Sequence, residues 1–92
     1  MVFAVMYKVD SSKKDYSSLY ERIKAFDSWM HYLDSGWLVC PPEKKTAKEI
    51  YDELVPLIDG DRDYLLVIEV KKHWSGWLPK DAREWLEKRS FE

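Results

Sequence analysis

Cysteine occurs once in this chain, at position 40, so no internal disulfide can form and no cysteine-based zinc site can be built. A lone thiol fits a reducing compartment, and the expected location is the cytoplasm. Glycine is nearly as scarce, with three in 92 residues, and none stands in a GxxxxGK(S/T) or GxGxxG arrangement. Phosphate binding of the nucleotide-hydrolase or dinucleotide-fold kind is therefore excluded. The longest apolar run, Met1 to Tyr7, is far too short to span a bilayer. No charged start followed by an apolar stretch and a small-residue cleavage site is present, so no signal peptide is expected. Charge of one sign is lacking too: 15 Lys and Arg stand against 17 Asp and Glu, for a net charge of −2. That balance argues against broad electrostatic binding to nucleic acid.

Aromatic residues are abundant. Five Trp, six Tyr and three Phe exceed what the core of one small domain needs, which points to an interface or a stacking surface as well.

Val2 to Val9 is nearly all apolar and rich in β-formers, the mark of a central strand buried on both faces. Tyr16, Leu19, Tyr20, Ile23 and Phe26 then fall at helical spacing, with Asp15 or Ser12 as the expected cap. Trp29 to Leu33 and Trp37 to Cys40 flank Asp34-Ser35-Gly36, which fits a tight hairpin with a bulge, and Pro41-Pro42 ends the second strand. Thr46 and Glu49 form a capping box before the stripe Ala47, Ile50, Tyr51, Leu54 and Ile58. Pro56 loosens that helix and Asp59-Gly60 stops it. Tyr64 to Val70 is a last strand. A third helix follows, with Pro79 in its first turn and Leu78, Ala82, Trp85 and Leu86 on one face.

The order β-α-β-β-α-β-α with right-handed crossovers predicts an α+β fold, the ferredoxin-like split βαβ. Its antiparallel sheet has order 4-1-3-2, both helices lie on one face, and a C-terminal helix is added. Residues 1–72 are expected to form the ferredoxin-like domain. Residues 73–92 are expected to form a Trp-rich segment and helix that pack on the same domain or on a dimer partner. The second sheet face must be covered by that segment, by a second copy, or by both.

This topology gathers loops 10–15, 34–36 and 59–63 at an acidic end, with Lys13 and Lys14 among the aspartates. Lys44, Lys45, Lys71, Lys72 and His73 gather at a basic end. Most of these aspartates read as loop and cap residues. Asp10, at the carboxyl end of a buried strand, is the candidate ligand for a hard cation such as Mg²⁺, provided a dimer axis supplies a second copy. The lysine pairs read as solvated charges or as phosphate contacts. In the hairpin, alternation puts Trp29, His31 and Leu33 on one face, with Trp37 beside them. Two readings stay open: core residues if helices cover that face, or a stacking platform if it is bare. No GxSxG elbow exists, and neither His31 nor His73 enters a catalytic pattern.

The strand ending in Asp10, then Tyr16-Ser17-x-Leu19-Tyr20, then Trp29-x-His31-x-Leu33-Asp34-Ser35-x-Trp37-x-Val39, then Leu65 to Val70 and Gly76-Trp77-Leu78-Pro79 resemble the small SinR-like proteins. These are related in fold to the CRISPR-associated adaptor-nuclease subunit and to virulence-associated protein D. The resemblance implies a ferredoxin-like homodimer. It also matches Asp10 to the metal-binding catalytic aspartate that closes the first strand of the CRISPR-associated relatives.

The expected function is a non-catalytic homo-oligomeric module that binds a nucleotide-type phosphorylated ligand without a cofactor. Its ligand-binding candidates are Tyr7, Lys13, Lys14, Trp29, His31, Ser35 and Trp37. Small phage proteins that sequester cyclic nucleotide immune signals are comparable in size and build. The alternatives are a Mg²⁺-dependent nuclease or nucleic-acid-binding adaptor acting through Asp10, and a protein-interaction module presenting the Trp-rich tail.

Overall fold

The computed structural model describes residues 1–91. Strand β1 (Val2–Lys8) is buried along almost its whole length, as its apolar run requires. Helix α1 (Ser17–Lys24) buries Leu19 and Ile23. Its start departs from the expected cap, because Tyr16 holds the N-cap position and its side chain makes no capping bond. Asp15 acts one residue early, its Oδ1 accepting from the Ser17 N–H at 2.9 Å and the Ser17 hydroxyl at 2.6 Å. Ser12 is engaged instead by Asp10.

Strands β2 (Ser28–Leu33) and β3 (Gly36–Cys40) form the hairpin, with a register shift between His31 and Leu33. Gly36 lies inside β3 with no positive φ, so the turn does not need its backbone freedom. It answers a close approach instead: a Cβ there would sit 3.1 Å from the Tyr32 ring. Helix α2 (Ala47–Leu54) starts at the expected capping box. The Glu49 N–H donates to Thr46 Oγ1 at 3.1 Å, and the Thr46 N–H donates to Glu49 Oε1 at 2.9 Å. Pro56 tightens the chain after α2 into a 3-10 turn over Val55–Leu57. Strand β4 (Tyr64–Val70) and helix α3 (Lys80–Glu87), entered from Pro79, complete the fold.

The result is an α+β fold with one four-stranded antiparallel sheet, ordered β2-β3-β1-β4, which is the expected order read from the other edge. Phe3, Val5, Tyr7, Trp37 and Val39 face α1 and α2, where Leu19, Ile23, Phe26, Ile50 and Leu54 close the main core. Val2, Ala4 and Leu38 point the other way. There α3 lays Trp85 and Leu86 over them, with Trp74, Leu78 and Phe91 packed around. The tail thus covers the second face, but only toward the β2 side. Tyr64, Leu66 and Ile68 of β4 stay 70%, 54% and 45% exposed. Tyr51, expected in the α2 stripe, is also exposed and sits under Lys48 Nζ. No helix among the described residues is long and apolar enough to cross a membrane.

Candidate functional site

The hairpin aromatics divide between the two readings. Register places Trp29 opposite Val39 and His31 opposite Trp37, so all four share the face that carries α1 and α2. β2 is an edge strand that the helices do not roof, so Trp29 and His31 remain exposed while Trp37 is core. The His31 ring lies flat on Trp37, with centroids 3.8 Å apart and planes 6° from parallel. Tyr20 stacks on Trp37 at 6.3 Å, and Trp29 tilts against it at 5.4 Å. Buried in this way, Trp37 and Tyr7 offer no open ring face to a base.

Their polar atoms form a chain. Trp37 Nε1–H donates to the Tyr7 hydroxyl at 2.8 Å, and that hydroxyl donates to the Asp34 carbonyl at 3.3 Å. His31 Nε2 lies 3.2 Å from the same carbonyl, which calls for the proton on that nitrogen. Burial pushes the Tyr7 phenol above its ordinary pKa, so the network runs on the neutral hydroxyl. Beside it opens a cleft of about 400 Å³ lined by Tyr7, Lys8, Val9, Ser11, Tyr20, Asp34 and Ser35.

Lys13 and Lys14 do not complete this cluster. Lys13 is exposed, and its N–H closes a turn onto the Asp10 carbonyl at 3.0 Å. Lys14 points toward the 57–63 segment, where Nζ donates to the Leu57 carbonyl at 3.4 Å and lies 5.5 Å from the Tyr16 ring centroid. Two other cations lie beside aromatic rings of this end. Lys8 lines the cleft, and Lys24 sits 5.5 Å from the Trp29 ring centroid. Asp10 is exposed beyond β1, and its carboxylate accepts from the Ser12 hydroxyl at 2.5 Å and the Ser12 N–H at 3.0 Å. These bonds hold its pKa below the usual carboxylate value. No group of three or more His, Cys, Asp or Glu among the described residues is placed to hold a metal ion.

The basic end is divided as well. Lys45 bonds Glu53 at 3.5 Å, beside the 2.5 Å contact of Arg22 with the same carboxylate. Lys44 lines a shallow cleft with Met1, Pro41, Pro42 and Glu43. Lys71 and Lys72 border a cleft of about 790 Å³, whose other walls are Trp74, Leu86, Glu87, Arg89, Ser90 and Phe91. Lys71 is paired with Glu69 at 2.6 Å. The Arg89 guanidinium lies 4.5 Å from the Trp85 ring centroid, and its buried Nε has no partner among the described residues. The Lys71-Lys72 pair was visible in the sequence as a charge run. Arg89 and Phe91 carried no signal, because only the fold-back of α3 brings them there.

No protein-family model, curated protein or solved structure matches this chain.

Proposed function

We propose that the chain is a non-catalytic binding module for a nucleotide-type phosphorylated ligand, built on a ferredoxin-like scaffold and working as a homodimer or higher homo-oligomer. The observation that carries this reading is the cleft between residues 71–74 and α3. Lys71, Lys72 and Arg89, with the single carboxylate of Glu87, line it together with the aromatic and aliphatic surface of Trp74, Phe91 and Leu86. Such a combination suits a ligand with an anionic part and a flat apolar part, and the volume lies in the range of small-molecule sites. This set lies at the end opposite the hairpin cations and aromatics expected from sequence. The SinR-like resemblance supports the oligomeric half, and sequestration of a cyclic nucleotide signal is the form of binding that needs no catalytic group.

Calorimetry against cyclic and linear nucleotides tests the proposal. At least one should bind with micromolar affinity or better, and Lys72→Glu should weaken it about tenfold or more without lowering the melting temperature, since neutralised phosphate contacts are worth roughly 1–3 kcal/mol each. Absence of heat from every member of the panel would overturn it.

A Mg²⁺-dependent nuclease acting through Asp10 is the second reading, favoured by the exposure of that carboxylate at the end of β1. Its test is cleavage of labelled RNA and DNA with Mg²⁺ or Mn²⁺ by wild type and Asp10→Ala. Equal activity in the two proteins would end it.

A further inference from the structure

β4 is an edge strand, and the direction of its free backbone groups follows from one bond. The Tyr7 N–H donates to the Ser35 carbonyl on the β3 side at 3.1 Å. Antiparallel residues alternate in the direction of their backbone groups, so Phe3, Val5 and Tyr7 serve β3, while Val2, Ala4, Met6 and Lys8 serve β4. The partners of that second set are Val70, Ile68, Leu66 and Tyr64. It follows that Leu65, Val67 and Glu69 turn their N–H and C=O groups outward. No backbone bond among the described residues takes them up.

An edge of this kind is ordinarily blunted by a bulge, a proline, a short length or several charges. β2, the other edge, has a register shift between His31 and Leu33. β4 has no shift in its seven-residue pairing with β1, no proline, and one charge, Glu69, which Lys71 neutralises. Along one side of it run the exposed Tyr64, Leu66 and Ile68, which α3 leaves uncovered.

From these observations we infer that β4 pairs antiparallel with β4 of a second copy, across a two-fold axis at Val67, to make a continuous eight-stranded sheet. An axis at Val67 is the register that uses every outward group. Val67 faces its own copy, Leu65 faces Glu69 of the second copy, and each of these is a hydrogen-bonded pair. The same register sets Leu66 against Ile68 and Tyr64 against Val70, so the two apolar strips merge on one face. The flanks are complementary in charge. In the 59–63 loop Asp59 is paired with Arg62 and Asp63 is buried, which leaves the exposed Asp61 to run beside Lys72 of the second copy. An isologous contact of this type closes on itself, which removes the exposed edge instead of propagating it.

The pairing rests on the oligomeric half of the proposed function and sharpens it, and its test needs no ligand. It also bears on the nuclease reading. Asp10 lies beyond Lys8, which pairs with Tyr64, three residues along the strand from the axis. The two Asp10 residues are therefore about 20 Å or more apart, at roughly 3.4 Å per residue, and share no metal.

The test uses the full chain without ligand. Light scattering should give a dimer at micromolar concentration, and Leu66→Lys or Val67→Pro should give a folded monomer. Leu66→Lys changes only an exposed side chain, so it decides the matter if Val67→Pro fails to fold. Register is read with Cys40 replaced by Ser. Val67→Cys should then cross-link on oxidation, because a hydrogen-bonded pair sets Cα atoms about 5.5 Å apart, within disulfide reach. Leu65→Cys should not. A monomeric wild type, a dimer unaffected by Leu66→Lys, or cross-linking at Leu65→Cys but not at Val67→Cys would each overturn the inference. None of these outcomes depends on whether a nucleotide binds.

Discussion

The Asp63 carboxylate is 7% exposed and is held by two donors, the Tyr16 hydroxyl and the Asp59 N–H at 2.7 Å. Burial and the bond to this carboxylate push the Tyr16 phenol up to about 12 from 10.0. The consequence for stability has a definite sign. Between pH 10 and 12 the folded protein keeps the Tyr16 proton that the unfolded chain releases, so this contribution is complete below pH 10 and lost as pH rises toward 12. Denaturant midpoints should fall across that window, and Tyr16→Phe should make the fall shallower. A variant whose midpoint drops as steeply as wild type would show that the phenol is not responsible. At the acid side the direction reverses. Hydrogen bonds hold Asp10, Asp15 and Asp59 below the usual value, so what they add is present above the ordinary carboxylate pKa and lost as pH falls through their lowered ones.

Among the elements, the connection from α1 to β2 has one backbone feature that sequence did not reveal. Asp27 adopts φ 80°, the left-handed region that carboxamide and carboxylate residues tolerate and β-branched residues do not. Asp27→Val should therefore cost about 1–2 kcal/mol, while Asp27→Gly should be neutral within about 0.5 kcal/mol. Equal melting temperatures for the two variants would refute the argument from φ. Elsewhere the elements were legible because each rests on a local rule. The capping box at Thr46 and Glu49, the strand stop at Pro41 and the loosened turn at Pro56 depend on residues adjacent in sequence. What local rules could not supply was lateral reach. Alternation placed Trp29, His31 and Trp37 on one face, but whether each is core or surface depends on how far α1 extends across the sheet. The same limit hid the placement of Lys24 over Trp29 and of Lys8 in the cleft with Tyr7 and Tyr20.

At the scale of the whole molecule, the Trp-rich tail is part of the fold. With both crossover helices on one face, the sheet has a second apolar face, and α3 covers Val2, Ala4 and Leu38 with Trp85 and Leu86. Trp85 is 8% exposed beneath Arg89, so the residue that closes this second core also supports a wall of the cleft beside α3. Removing it should act on both. Trp85→Ala should cost about 3–5 kcal/mol, a large share of the roughly 5–15 kcal/mol that holds a domain of this size folded. Deleting residues 74–92 should go further, exposing one entire face of the sheet and abolishing the cooperative thermal transition. If the tail were only a partner surface, the truncated chain would melt as wild type does and Trp77, 97% exposed, would carry its role. A cooperative transition at an unchanged temperature after truncation would therefore reverse the assignment. A collapsed transition would establish that the cleft, the second core and the α3-free strip of β4 are set together by where this one helix comes to rest.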